Sequence, residues 1–243
     1  MKRKDEIILI FVLVFLLVLA IFRAHYWEKT RQLEPGSIVP EQTFNWVKMD
    51  RFFQIYDIPD TIFSLMQGKS YKENCTIPRS DLKYLVFIHR DLEGNAVVGE
   101  MVVNQLIATD IIEIMEQLFL KSYPIEKARL IDYYDADDET SMRDNNSSGF
   151  NWRFIKGTDK LSNHSTGLAV DINPLYNPYY KSSKRREIIQ PQTGWPYLDR
   201  TADFPFKITD DDLCHTLFAA HGFTWGGSWE SPKDFQHFEK VQQ

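Results

Sequence analysis

From Ile7 to Phe22 every position is apolar, a run of sixteen residues set between Met1-Lys-Arg-Lys4 and Arg23. Wound as a helix it covers about 24 Å at about 1.5 Å per residue, slightly less than the roughly 30 Å of a hydrocarbon core. Arg23 can snorkel, and Tyr26 and Trp27 suit the interface. The basic residues ahead of the run place the body of the chain outside the cytoplasm. A cleaved signal peptide shares the charged start, but it has a shorter apolar region and small residues at the cut, which Ala20-Ile-Phe-Arg-Ala24 matches poorly. Residues 1–27 therefore read as an uncleaved, single-pass anchor. Residues 28–50 mix charge with Pro35-Gly36 and Pro40 and read as a tether, and residues 51–243 as the folded domain.

Within that domain the pattern changes period. Lys83–Asp91 and Ala96–Asn104 are rich in β-branched and apolar residues around Glu93-Gly94-Asn95, which predicts an antiparallel hairpin. After Asn104, a good N-cap, Leu106, Ile107, Ile111, Ile114, Met115 and Leu118 recur with helical period up to Tyr123-Pro124. Ala128–Asp135 predicts a further strand, and residues 135–148 have no apolar periodicity and read as a loop. Thr209 with Asp212 resembles a capping box opening a helix that runs to Ala220 and stops at Gly222. Strands and helices are mixed without regular βαβ alternation, so the fold class is α+β, with a small antiparallel sheet flanked by helices.

Composition narrows the class of function. The chain has 243 residues, 43% hydrophobic and 14% aromatic, enough for a sizeable core. Its formal net charge of −6 supplies no overall basic field, so nucleic acid is not an expected partner. The run Lys181-Ser-Ser-Lys-Arg-Arg186 can meet carboxylates of a partner or simply face solvent. Two cysteines, Cys75 and Cys214, are compatible with a disulfide in an oxidising compartment or with two buried thiols, and they lack the CxxC spacing of a structural zinc site.

The chemistry concentrates in two stretches. In Leu168-Ala-Val-Asp-Ile-Asn173 the side chains alternate, so Asp171 shares a face with Ala169 and Asn173, while Leu168, Val170 and Ile172 take the other. A carboxylate in an otherwise apolar strand is costly unless paired or bound to a metal, and His164 can fold back to the same face across Gly167. The plain alternative is an aspartate that caps a turn and an ordinary loop histidine. The stretch WGGSWESPKDFQHFEK adds His237, and two histidines with one aspartate make an N,N,O set of the kind that leaves a fourth position of zinc for water. Asp234, three residues before His237, is the candidate general base, and Arg153 the candidate cation for a developing oxyanion. Ser162 either lines the cleft or caps a turn. Glu239 either holds the His237 ring or ends in a salt bridge, and Trp225 and Trp229 either wall a substrate cleft or pack in the core. No GxSxG elbow is present, which argues against serine hydrolysis.

Ser162-x-His164-x-x-Gly167-x-Ala169-x-Asp171, followed by Trp225-Gly-Gly-x-Trp229 and Asp234-x-x-His237-Phe-Glu239, resembles the zinc D-Ala-D-Ala carboxypeptidase and dipeptidase family of peptidoglycan peptidases. That family includes phage L-alanyl-D-glutamate endolysins and vancomycin-resistance dipeptidases. The likeness extends from about Met66 to Glu239 and takes in MQGKSYKENC, GEMVVN and SMRDNNSSGFNWR, which are less specific. It implies zinc held by His164, Asp171 and His237, Asp234 as the acidic base, and Arg153 on the substrate carbonyl. Many members carry glutamate at the place of Asp234, whose side chain is one methylene shorter, and the endolysin-like branch carries aspartate. The resemblance further implies the fold shared with the hedgehog signalling domain, with zinc on one face of the sheet. The expectation is a zinc metallopeptidase anchored in a bacterial membrane, with its catalytic domain outside the cytoplasm and a peptidoglycan peptide as substrate. A zinc-containing wall-binding module without turnover is the alternative, and a peptidase of other peptides a third. The sequence leaves the bond cleaved and the oligomeric state open.

Overall fold

The computed structural model of the protein describes residues 2–30, 34–45, 47–155, 158–183 and 186–240. Helix α1, Lys2–Thr30, carries the apolar run, and its Ile7–Ala24 window has a mean hydropathy of 3.2 with no residue buried against the rest of the protein. It is long and apolar enough to cross a membrane, and a signal sequence meets the same description. Tyr26 and Trp27 belong to the helix, but their side chains lie outside what is described.

The segment read as tether is partly structural. Strand β1, Ile38–Val39, pairs antiparallel with the edge of the sheet described below, and Gly36 N donates to Val98 O at 2.7 Å. Val39 and Phe52 are buried, and Phe44 stacks edge-on to Phe52 at 5.2 Å. The apolar positions of this stretch are too sparse and irregular to show a period, which is why composition alone made it a linker. Strand β2, Gln54–Asp57, and helix α2, Asp60–Met66, lead into the hairpin of β3, Leu82–Arg90, and β4, Ala96–Asn104. The hairpin has the expected register, Leu82 facing Asn104 and Arg90 facing Ala96. Together they form a four-stranded antiparallel sheet in the order β1-β4-β3-β2.

The hairpin is covered on both faces, so its burial does not alternate. One side joins the main core with Leu85, Phe87, Met101 and Val103 under helix α3, Gln105–Leu120. The other side contributes Tyr84 and Val102 to a second cluster with Met66, Leu130, Phe150 and Trp152. Asn104 caps α3 by accepting from Leu106 N at 3.1 Å, and its Nδ2 donates to Thr166 O at 3.0 Å. One side chain thus starts a helix and fixes a turn of the site. Asn104→Ala is expected to lose about 1–2 kcal/mol of stability, the sum of a cap and a partly buried hydrogen bond. Urea unfolding with an unchanged m-value would measure it, and a loss below about 0.3 kcal/mol would contradict this double role.

The chain after α3 departs from the sequence reading. Only Lys127–Ala128 is a strand, β5, and Ile131–Tyr134 is a 3-10 turn that ends in left-handed Asp135 and Ala136. Buried Asp132 turns inward to accept Ser70 N at 3.1 Å, a long-range bond that fixes its side chain within the fold. The expected loop 135–148 contains helix α4, Asp138–Arg143, capped by Asp137, whose carboxylate accepts Thr140 N at 2.8 Å, and strand β6, Asn146–Ser147, parallel to β5. A helix of six residues with Met142 as its single apolar one has no apolar stripe to betray it.

Strand β7, Ala169–Asp171, is followed by a second hairpin, β8, Tyr179–Ser183, and β9, Arg186–Gln190. Of the basic run, Lys181 to Ser183 end β8 and Arg186 opens β9, and Lys184 and Arg185 lie outside the described residues. Helix α5, Leu213–Ala220, is capped three residues later than the expected box places it, by Asp212 in place of Thr209, with Asp212 accepting Cys214 N at 2.7 Å. Strands β10, Thr224–Trp225, β11, Lys233–Asp234, and β12, His237–Glu239, complete two three-stranded sheets, β10-β12-β7 and β11-β8-β9. The architecture is mixed α and β with small antiparallel sheets. Cys214 is fully buried in the main core, Cys75 packs against the second cluster, and both are free thiols.

Candidate metal centre

Two ladder positions and one turn build the centre. β12 pairs with β7 so that His237 stands opposite Asp171, Phe238 opposite Val170 and Glu239 opposite Ala169. The expected alternation holds: Val170, Ile172 and Phe238 go into the core and leave Asp171 and His237 on the other side. His164 arrives on a 3-10 turn, Asn163–Thr166, that ends at Gly167 with φ +70. There a Cβ would sit 2.7 Å from Asn104 N, so the turn rests backbone to backbone on the end of the first hairpin.

The three side chains converge. His164 Nε2 lies 3.2 Å from His237 Nδ1 and 3.2 Å from Asp171 Oδ2, and His237 Nδ1 lies 3.0 Å from Asp171 Oδ1. Their ligand atoms form the group, among the described residues, that could hold a metal ion. The outward-facing nitrogens are engaged elsewhere. His164 Nδ1 donates to Gly149 O at 2.7 Å and His237 Nε2 donates to Glu239 Oε2 at 3.2 Å, so each ring turns its other nitrogen inward. Around a tetrahedral zinc with bonds of about 2.0–2.1 Å, neighbouring donors stand roughly 3.3 Å apart. The observed separations and the N,N,O donor set fit such an ion.

The electrostatics agree. Burial opposes charge on Asp171, but the rings of His164 and His237 outweigh it and hold the carboxyl far below its ordinary range. Burial likewise opposes a charged His237, yet Asp171, Glu239 and Asp234 raise its pKa to about 10. A metal ion taken up by His237 must therefore displace a proton.

Asp234 is carried in on β11 opposite Tyr179. Its Oδ1 is buried with no hydrogen-bond partner among the described residues. Burial chiefly, with the charge of Asp171, lifts its pKa to about 7 against the opposing pull of His237 and His164. A buried, unpartnered carboxylate oxygen that titrates near neutrality is suited to accept a proton there. The Trp-Gly-Gly turn makes room for it, because a Cβ on Gly226 would lie 2.6 Å from Asp234 O.

The other sequence candidates take distinct places. Arg153 joins the His164 turn through its main chain, with Ser162 N donating to Arg153 O at 2.9 Å and Ser165 Oγ accepting Arg153 N at 2.9 Å. Its guanidinium pairs with Asp138 of α4. Ser162 is buried at the start of the turn, and its side chain makes no capping bond. Trp225 is a core residue: it stacks near Phe238 at 6.5 Å, and its Nε1 donates to Phe235 O at 2.9 Å. Trp229 is half-buried with its ring 5.6 Å from that of His237, so it forms part of the wall of the centre. Sequence reasoning missed the Gly149 carbonyl, which no residue type announces, and Asn163, whose only signal is its place beside His164.

Residues 156–240 match the family model described as D-alanyl-D-alanine carboxypeptidase. The matched segment contains His164, Asp171, Asp234 and His237, but neither Arg153 nor Gly149. No curated protein and no solved structure gives a significant match to the chain.

Proposed function

We propose that the chain is a membrane-anchored zinc peptidase, a reading supported by the match of residues 156–240 to the family model described as D-alanyl-D-alanine carboxypeptidase. Its substrate in this reading is an amide bond of a peptidoglycan stem peptide, cut by D,D-carboxypeptidase or L-Ala-D-Glu-type endopeptidase action on the outer side of a bacterial membrane. The observation that carries it is the convergence of His164 Nε2, His237 Nδ1 and Asp171 beside the bare Oδ1 of Asp234. His164, Asp171 and His237 hold the metal. Bound zinc supplies a Lewis acid that polarises the scissile carbonyl and makes water acidic near neutral pH.

The chain's own groups do the rest. Asp234 Oδ1 takes a proton from the attacking water and passes it to the leaving amine nitrogen. Arg153 exchanges Asp138 for the substrate carbonyl oxygen and balances the charge that builds there. Trp229 gives the cleft an apolar side against the substrate. Residues 1–27 serve as the anchor, 28–50 as a connection that also adds β1 to the sheet, and 51–243 as the catalytic body, for which the small sheets and flanking helices are consistent with the hedgehog-like fold of the family. A helix suited to spanning a bilayer is consistent with an enzyme of an insoluble polymer close to the membrane.

Full-length protein in detergent, incubated with purified peptidoglycan and synthetic stem peptides, is expected to release products identifiable by mass spectrometry. A chelator should abolish them and added zinc restore them, and the mass lost names the bond. Product formation that survives exhaustive chelation would end the metallopeptidase reading. The engagement of Arg153 by Asp138 favours one second reading, a zinc-containing wall-binding module without turnover. Stoichiometric zinc with peptidoglycan binding and no cleavage would select it.

A further inference from the structure

The two ligand histidines come from segments far apart in sequence, and a contact outside the cluster ties those segments together. Asn163, the neighbour of His164, donates from Nδ2 to Glu239 Oε2. The same oxygen accepts from His237 Nε2 at 3.2 Å. Glu239 sits one strand position beyond Phe238 in β12, its side chain 15% exposed and its main chain paired on both sides, to Ala169 and to Thr224. Its backbone is therefore fixed and only the side chain remains to be placed.

We propose that Asn163 and Glu239 form a clamp that sets the orientation of the His237 ring and locks the His164 turn to β12. Both act as positioning residues for metal binding. The proposal rests on the reading of the cluster as a zinc site. An imidazole presents either of two nitrogens, and what holds one decides which is offered to a metal. Gly149 O performs this task for His164, and as a main-chain carbonyl it needs no support of its own. Glu239 performs it for His237 from a side chain with several rotatable bonds, which must be ordered at an entropic cost. Asn163 removes that freedom by binding the very oxygen that holds the ring, and because it adjoins His164 it couples the placement of both ligands.

The test is zinc affinity of the full-length protein in detergent, measured by competition with a chromophoric chelator. Glu239→Ala is expected to weaken zinc binding by about 10–100-fold, and Asn163→Ala by several-fold. The double variant should bind no more weakly than Glu239→Ala alone, because Asn163 acts through Glu239. Glu239→Gln, which keeps an acceptor oxygen, should recover part of the loss. It also carries the comparison with Asn163→Ala if the alanine variant fails to fold. The absorption spectrum of the cobalt-substituted protein should change in Glu239→Ala and remain near wild type in Glu239→Gln. A merely structural role would lower the thermal midpoint of the metal-free variants and give additive losses in the double. Tight zinc binding by the wild type with less than a twofold change in Glu239→Ala, or additive losses, overturns the clamp. Failure of the wild type to bind zinc overturns the zinc-site reading, and the clamp with it.

Discussion

Asp234→Asn is expected to lower kcat by about 10²–10⁴-fold, the usual contribution of a positioned acid–base group, and to leave the metal content intact. The amide has the shape of the carboxyl but cannot take a proton, and Asp234 is not one of the three converging groups. The same substitution should stabilise the metal-free protein at alkaline pH. Burial raises the Asp234 carboxyl from 3.8 to about 7, so between those values the folded state binds more protons than the unfolded one. This group's contribution then falls as pH rises through that window. Asparagine mimics the neutral form and removes the decline. Parallel measurements of kcat, bound zinc and thermal midpoint at pH 5 and pH 8 decide it. Activity within a few-fold of wild type would remove Asp234 from the chemistry, and lost zinc would make it a ligand instead.

Phe238→Ala should cost about 3–5 kcal/mol, the range for truncating a large buried aromatic. Phe238 is fully buried, stacked on Phe218 at 4.1 Å and 15° between planes, and it lies between the two site residues of β12. Its ring is the inward half of an alternation whose outward half is His237 and Glu239. The cavity left behind loosens the strand that carries them, so zinc affinity should drop together with stability. Urea titration and chelator competition on the same preparation test this. A loss under 1 kcal/mol would mean that the core collapses around the gap and that β12 is held by its ladder alone.

What was legible from sequence followed from periodicity and from side-chain chemistry. The Lys83–Asn104 hairpin, the helix capped by Asn104 and the alternation around Asp171 all express a regular burial pattern, and the structure has each. His164, Asp171 and His237 were legible as a set from their donor types and from the resemblance of the two stretches that carry them, and the structure brings the three together. Helix α4 was not, since its six residues bury only Ser141 and depend on the Asp137 cap. With α4 unseen, the partner of Arg153 was unseen too, and the arginine could be assigned a cation's role but not its resting place on Asp138. Trp225 had the residue type of a cleft wall, yet a Cβ on Gly227 would fall 2.2 Å from its ring, so the glycine pair tucks that indole inward. Close packing of this kind has no periodic signature.

The seam beneath the His164 turn bears on how far the matched segment can be treated as a transplantable unit. Gly149 O holds His164, Ser148 exchanges both main-chain bonds with Asp171 at 3.1 and 2.9 Å, and Asn104 N donates to Gly167 O at 2.8 Å. All three partners lie outside residues 156–240. A graft of that segment onto another scaffold would carry every candidate metal ligand and leave behind the surface against which these side chains are aligned. Chimeras between relatives should therefore exchange the first hairpin, the 148–150 segment and the ligand-bearing strands as one block. Substitutions in β4 can then act as modifiers of the site although none of its side chains is among the three converging groups.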